Sequence, residues 1–463
     1  MPAVDENGWK LKLSQKRPLS EVRKGYTHFV NGDVLFAKIT PCMENGKAAV
    51  AEELENGFGC GTTELHVIRP FQDIQSKFLY YFVHREDFRK AARQNMTGTA
   101  GQLRVPLSFL KESVIPVPPA TEQIRIVAKL EKLLAKVDAC KERLEKIPAI
   151  LKRFRQSVLA AACSGSLTED WRENYPTTER AGAMIETITR TSDGPRLRRG
   201  IPNEVPVPDD VRDWEMPDTW ASCSAAELLK NGVLEDLKDG NHGANHPKVT
   251  EFTEEGLAFI TAAQVNNFRI DYEGAYKISG EPLNRLRVGF AKNGDVIYTH
   301  KGSVGRVAVA DRDCILSPQT TYYRPRRDTL VPEYLMLFLA SKFFAQQVNA
   351  VKEQTTRDFV PISEQYLLFH RIPPINEQHE IVRRVEALFK IADDIEKRYQ
   401  KARVHVDKLT QSILAKAFRG ELVPQDPNDE PASELLKRIQ AERKNQEAEA
   451  RPGRKSAKRR MRN

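Results

Sequence analysis

Cysteine is scarce: the 463-residue chain has six, at positions 42, 60, 140, 163, 223 and 314, with no Cys-x-x-Cys pair. No two of its nine histidines stand beside them at zinc-ligand spacing. The cysteines therefore read as reduced structural thiols, and no metal is expected. Long apolar runs are also missing. None approaches the roughly 20 residues needed to cross a bilayer, and the N-terminus lacks a charged-then-apolar leader pattern. A cytoplasmic protein with no membrane partner is the default expectation. There is no Gly-x-x-x-x-Gly-Lys-Ser/Thr loop to cradle a nucleoside triphosphate. Nor is there a cofactor glycine loop with an Asn/Asp-Pro-Pro-aromatic site of the kind a base-methylating enzyme uses. No cofactor and no catalytic residue are expected. Pro217-Asp218 with Asp236-Leu237-Lys238 resembles a nuclease string, but strings this loose arise by chance, and Pro217-Asp218 beside Trp220 reads as a turn entering a strand.

The formal charge is +9, yet residues 451–463 alone hold seven Lys or Arg and no acid, which leaves +2 for the rest. Net charge is thus weak evidence for DNA binding by the folded body. The tail at 451–463 reads as a disordered basic segment adding sequence-independent phosphate attraction.

What the chain does contain is one long segment twice. Ile115-Pro116-Val117-Pro118-Pro119 leads to Glu122-Gln123, and Arg371-Ile372-Pro373-Pro374-Ile375 leads to Glu377-Gln378. The segments close on Gln156-Ser157, Ala162, Gly165 and Leu167, and on Gln411-Ser412, Ala417, Gly420 and Leu422. Steps of four and three residues from Ile381 give Val385, Leu388, Ala392, Ile395, Tyr399, Ala402, Val406, Leu409 and Ile413. The same register, 255 residues earlier (381 minus 126), gives Ile126, Leu130, Leu133, Val137, Cys140, Leu144, Ile147, Leu151, Phe154 and Val158. A strict a/d stripe of this length predicts a coiled coil, and two in one chain most simply pair with each other. Residues 122–162 as a helix would span on the order of 60 Å, nearly two turns of B-DNA at roughly 34 Å each. An antiparallel pair would then act as a ruler between two domains, the blander alternative being a plain dimerisation coil. Pro148 lies inside the first helix, where a bend or break near Ile147 is expected.

Upstream of each helix the texture changes to short β-type runs and tight turns, and these parts are duplicated too. Gly32-Asp33-Val34-Leu35-Phe36 matches Gly294-Asp295-Val296-Ile297-Tyr298. Further strands are predicted at 47–51 and 64–69 in the first copy, and at 306–310 and 320–324 in the second. Each copy then continues into an amphipathic helix, holding Phe78, Leu79, Tyr81 and Phe82 or Tyr334, Leu335, Leu337 and Phe338. Gly302-Ser303-Val304-Gly305 reads as a hairpin turn. The expected fold is α/β (mixed α+β), two domains alternating with two long helices that form an antiparallel coiled coil. The second copy has about seventy residues between Trp220 and Gly294, while thirty-one precede Gly32. Some forty residues of domain one are therefore expected to be missing from its start, leaving it less stable than domain two.

At this point the sequence resembles the specificity subunit of type I restriction-modification systems. The resemblance is carried by residues 32–42, 63–70, 239–242 and 294–308, the two Pro-Pro-x-x-Glu-Gln helix starts, and Ala-Phe-Arg-Gly-Glu-Leu-Val-Pro-Gln-Asp-Pro at 417–427. It spans roughly residues 11–450. It implies a truncated first target-recognition domain at 1–114, a first helix at 115–167, a connector at 168–213 and a second recognition domain at 214–370. A second helix at 371–422, a C-terminal helix at 423–450 and the tail follow. It further implies that the two domains each read half of a bipartite double-stranded DNA target. The helices would dock two adenine-methyltransferase subunits and, through them, restriction/translocase subunits. The competing reading is a coiled-coil interaction protein, or a decayed specificity cassette, that no longer binds DNA.

Phosphate and base contacts need donors on loops at a domain edge. In domain one the candidates are Lys38, Thr40, Lys47, Thr97, Thr99, Gln102 and Arg104. In domain two they are Lys238, Asn241, His242, Gln264, Asn266, Thr299, His300, Lys301, Ser303, Arg306, Thr356 and Arg357. For each, a solvated surface residue or turn former is the alternative. Arg357→Ala is expected to weaken DNA binding without altering the fold.

Overall fold

Val34-Leu35-Phe36-Ala37 has no polar side chain on either face of its pleat, so a strand here must be covered on both sides. The computed structural model places it so. It describes residues 3–4, 10–11, 16–71, 73–99, 101–176, 180–191, 200–202, 204–212, 215–354 and 358–445. The chain forms two units, residues 1–146 with 399–463, and residues 147–398.

In the first unit the strands are β1 (Thr27–Val30), β2 (Val34–Ala37), β3 (Ala48–Val50), β4 (Phe58–Gly61) and β5 (Leu65–Ile68). β2 lies between β3 and β5, antiparallel to both, with Phe36 opposite Ala48 and His66. β1 and β4 form a separate antiparallel ribbon. Period-2 alternation sends Val34 and Phe36 to a core shared with helix α1 (Ser76–Val83), and Leu35 and Ala37 to a smaller core with Phe29, Leu54 and Leu65. Ile126 and Leu130 of the first long helix, Ala120–Ser164, join the larger core, as do Leu414, Ala417 and Phe418 of the second, Ile375–Phe418.

The second unit repeats this plan with additions. Besides two short ribbons at 265–270 and 353–354 with 358–359, its strands are β6 (Ala221–Ser224), β7 (Leu234–Asp239), β8 (Leu257–Ile260), β9 (Tyr276–Ile278) and β10 (Phe290–Ala291). They are followed by β11 (Val296–Thr299), β12 (Val307–Val309), β13 (Cys314–Leu316), β14 (Thr320–Pro325) and β15 (Phe369–Ile372). One sheet has the order β12-β11-β14-β7, a second β9-β8-β13-β10, and β15 pairs with β6. β11, β12 and β14 correspond to β2, β3 and β5. The antiparallel pair β10–β13 likewise corresponds to β1–β4, whereas among the described residues β7, β8 and β9 have no counterpart in the first unit. Val296 and Tyr298 face a core with helix α2 (Pro332–Leu339), whereas Ile297 packs toward Ile260, Cys314 and Leu316 of the second sheet. The strands and amphipathic helices expected from the sequence are all present, and the hairpin turn at 302–305 joins β11 to β12.

The same small motif closes the strand edge in both units. Gly32 N donates to Ala51 O (2.7 Å) and Gly294 N to Ala310 O (2.7 Å). Buried Asp33 takes a two-pronged contact from Arg69 (2.8 and 2.7 Å), and buried Asp295 takes the same from Arg324 (2.9 and 2.7 Å). The repeated Glu-Gln pair is explained as well. Gln123 is fully buried, accepts from Gln75 N at the start of α1 (3.0 Å) and donates to Pro118 O (2.9 Å). Gln378 accepts from Val331 N at the start of α2 (2.8 Å) and donates to Thr329 O and Pro373 O (3.0 and 2.9 Å). Each glutamine thus ties a long helix to the helix of the domain before it. Its neighbour Glu377 is buried and accepts from Trp220 Nε1 (2.9 Å), Thr168 Oγ1 (2.7 Å) and Arg172 Nη1 (2.5 Å).

The long helices meet start to end in each unit. In the first, Ile126 and Leu130 share a core with Leu414 and Phe418; in the second, Val158 and Leu159 share one with Ile381 and Val385. Most seam positions are covered: Ile126, Leu130, Val137, Leu151, Ile381 and Val385 are buried, and Leu133, Leu144, Leu388, Val406 and Leu409 half-buried. Ile395 departs from expectation, being 41% exposed. Ile395 lies three residues, about 60°, around the helix from buried Ala392, on the flank opposite Asp393 and Glu396, which pair with Arg155 (2.7 and 2.9 Å). Of the bend or break expected near Ile147, a break does not occur: the first helix runs through Pro148. Pro148 itself is exposed.

Candidate nucleic-acid interface

β2 leaves its sheet at Lys38, and the loop after helix Glu86–Gln94 returns beside it. Val105 N donates to Lys38 O (2.9 Å), Thr40 N to Leu103 O (3.0 Å), and Thr97 and Arg104 exchange both backbone bonds (3.0 and 2.8 Å). This brings Lys38, Thr40, Thr97, Thr99, Gln102 and Arg104 to one edge of the first unit, with Lys47 on the adjoining strand end. Thr97, Thr99 and Gln102 are exposed, and Lys38, Thr40 and Lys47 half-buried. Arg104 is fixed: Nε and Nη2 donate to Glu64 (2.9 and 3.0 Å), and Nη1 donates to Gln102 O (3.0 Å). The Arg104 guanidinium in turn holds the Glu64 carboxyl below the usual carboxylate range. Next to it His66, depressed by burial, donates from Nε2 to Val105 O (2.8 Å).

The second unit has the same frame. Val360 N donates to His300 O (2.9 Å) and His300 N to Gln319 O (3.0 Å), matching Val105 to Lys38 and Lys38 to Glu64. Lys301 bridges Phe359 as Ile39 bridges Arg104. Lys301, Ser303 and Arg306 are exposed around the hairpin turn, where Lys301 Nζ lies 5.4 Å from the Phe359 ring centre and Arg306 Nη1 donates to Ala262 O (3.1 Å). Lys238 pairs with Asp236 (3.0 Å), which also accepts from Tyr322 Oη (2.5 Å), so this part of the nuclease-like string is engaged within the sheet. His242 pairs with Asp239 (2.7 Å) and keeps an exposed side chain. Asn266 is exposed and donates to Ala263 O (2.6 Å), while Gln264 is spent on Thr261 and Gly274.

Three candidates are not the solvent-facing donors expected of them. Asn241 is buried, its Oδ1 accepting from Arg287 N and Val288 N (2.7 and 3.2 Å) and its Nδ2 donating to Val288 O. Thr299 is buried and closes the hairpin by donating to Ser303 O and accepting from Arg306 N. His300 is buried, donates from Nδ1 to Val360 O (2.9 Å), and is depressed chiefly by burial. In each case a turn needed an internal partner, and the polar side chain supplied it. Thr356 and Arg357 lie outside the described residues. Sequence reasoning missed Glu64 and Gln319, whose role rests on pairing between strands distant in sequence. It also missed Lys352, paired with Asp358 (3.0 Å), and exposed Arg287, whose backbone Asn241 pins.

Comparison with known proteins gives one family. The model for the type I restriction modification DNA specificity domain matches residues 7–149 and 234–404, the two copies of the repeat. The type I restriction enzyme EcoBI specificity subunit of Escherichia coli is 33% identical over 344 residues, 72% of this chain. The chain spans 65% of that relative's length. The EcoKI specificity subunit of Escherichia coli strain K12 is 33% identical over 411 residues, covering 84% of this chain and 76% of the relative. In fold, the chain resembles the HsdS subunit from Thermoanaerobacter tengcongensis (TM-score 0.55, 20% identity, 91% of this chain and 89% of that one). It also resembles a chain from a structure of type I R-M complex assembly (TM-score 0.58, 19% identity, 91% and 90%).

Proposed function

Because the chain belongs to the type I restriction modification DNA specificity domain family, we propose that it is the sequence-specific DNA-binding subunit of a type I restriction-modification complex. It reads a bipartite double-stranded target, one half with each domain, around a gap that neither touches. The recognition domains are residues 1–114 and 214–370, joined through the helices at 115–167 and 371–422. The chain is non-catalytic: it scaffolds two adenine-methyltransferase subunits and, through them, the restriction/translocase subunits. It works in the cytoplasm; among the described residues no helix is long and apolar enough to cross a membrane.

The observation that carries this reading is the duplicated loop frame, residues 38–40 with 97 and 103–105 in one unit and 300–302 with 353–354 and 358–360 in the other. Identical backbone pins present different side chains, which is what two half-sites of different sequence require. Lys38, Thr97, Thr99, Gln102 and Arg104 in one frame, and Lys238, His242, Lys301, Ser303 and Arg306 in the other, are the DNA-facing set. Asn241, Thr299 and His300 act by shaping the loops. The test is to co-express the chain with its methyltransferase partner in a methylation-free host and map modified adenines. Two short blocks around an unread gap are expected; a contiguous motif would refute bipartite reading, and no modification by a stable complex would refute DNA recognition.

A further inference from the structure

We propose that Arg104 is a guanine-reading side chain of the first recognition domain, held in position by Glu64; this rests on the function proposed above. An arginine has five N–H donors in a rigid fork. Here Nε and Nη2 are each committed to one Glu64 oxygen, and Nη1 to Gln102 O. That leaves one proton on each Nη nitrogen with no partner among the described residues, on a side chain that is 39% exposed. Two donors on adjacent nitrogens are the arrangement that meets guanine O6 and N7 in the major groove. Fixing the side chain before binding removes much of the roughly 2 kcal/mol of rotamer freedom an arginine otherwise loses.

Comparison of the two units points to the same residue. The backbone frames coincide, Val105 N to Lys38 O and Val360 N to His300 O both at 2.9 Å. The bridged pair is Ile39 with Arg104 in one unit and Lys301 with Phe359 in the other. Glu64 likewise stands where the second unit has Gln319, whose side chain accepts from Ala262 N instead (3.2 Å). The divergence falls on exposed or half-buried side chains of an unchanged frame, where sequence preference can change without refolding. A phosphate contact alone would need only a point charge, and a dedicated carboxylate would weaken it. Glu64 is therefore a positioning residue and Arg104 the reader.

The test uses the full chain in complex with its methyltransferase subunits, comparing the wild type with R104A, R104K and E64Q by adenine mapping and by DNA affinity at several salt concentrations. R104A is expected to lose guanine preference at one position of one half-site by roughly 5- to 150-fold, the equivalent of about 1–3 kcal/mol at 1.4 kcal/mol per tenfold. The other half-site should be unchanged. R104K, which keeps the charge and lacks the fork, should relax the same position with an unaltered salt slope, and E64Q should relax it in part. An unchanged motif in R104A would overturn the proposal. So would a uniform loss of affinity on every sequence with the salt slope shallower by about one, which marks a phosphate contact. Failure of the wild type to mark a split motif would instead remove the function on which the proposal rests, and the proposal with it.

Discussion

Gln378→Ala isolates the tie between a long helix and its recognition domain. The side chain is fully buried and makes three hydrogen bonds, from Val331 N and to Thr329 O and Pro373 O. Each bond contributes about 1 kcal/mol net, and stranding buried partners adds to the cost, so a loss of roughly 3–5 kcal/mol is expected. Gln123→Ala removes two bonds, and its partner Gln75 is half-buried, so water can replace part of what is lost. Roughly 1–2 kcal/mol is expected there. Gln378→Glu keeps the acceptor for Val331 N but turns a carboxylate toward two carbonyls. It should be at least as damaging as alanine at neutral pH and recover in part under mild acid. The assay is urea denaturation followed by circular dichroism, with hydrogen exchange at the Val331 amide as the local reporter. A Gln378→Ala loss below about 1 kcal/mol, or no larger than that of Gln123→Ala, would refute the reasoning.

Asp295→Ala strands Arg324, whose side chain is only 18% exposed, and should cost about 3–5 kcal/mol. Asp33→Ala strands an Arg69 that is 62% exposed and should cost clearly less; equal losses in denaturant titrations would contradict this. His370, packed among Tyr323, Phe338 and Phe344, is held at about 4 by burial, below its usual 6.5. A depressed histidine favours the fold fully above its unfolded value, and this contribution disappears as pH falls from about 6.5 through about 4. It amounts to roughly 3 kcal/mol. His370→Phe should flatten that part of the stability profile, and a slope identical to the wild type would exclude His370 as its source. On the seam, Val385→Asp should destabilise most, Leu388→Asp less and Ile395→Asp by under about 1 kcal/mol; thermal melts that rank Ile395 with Val385 would contradict the packing.

The duplicated elements were legible because they are local: a strand of consecutive apolar residues, a helix start, a seven-residue stripe. Ile395 shows where that legibility stops, since the stripe fixes which residues are apolar but not which of them neighbouring elements cover. Pro148 shows the same limit: its cost was readable, but not its position on a face open to water. At the interface, loop membership could be read from Gly, Asn and Thr spacing. Which polar side chains the loops would consume internally could not. Asn241, Thr299 and His300 look like Asn266, Ser303 and Lys301 in sequence. Only the strand pairing that brings residue 241 to 287 and residue 300 to 360 separates them. Glu64 was invisible because its significance depends on Arg104, forty residues away.

The two units are threaded differently by the chain. Residues 147–398 form the second in one uninterrupted run, whereas the first needs Leu414, Ala417 and Phe418 to complete the core that residues 1–146 begin. During synthesis the second unit can therefore close while the C-terminal part of the long helix is still being made. Phe78 and Phe82 must wait until Phe418 emerges from the ribosome, and until then the earliest-made part of the protein is the last to be finished.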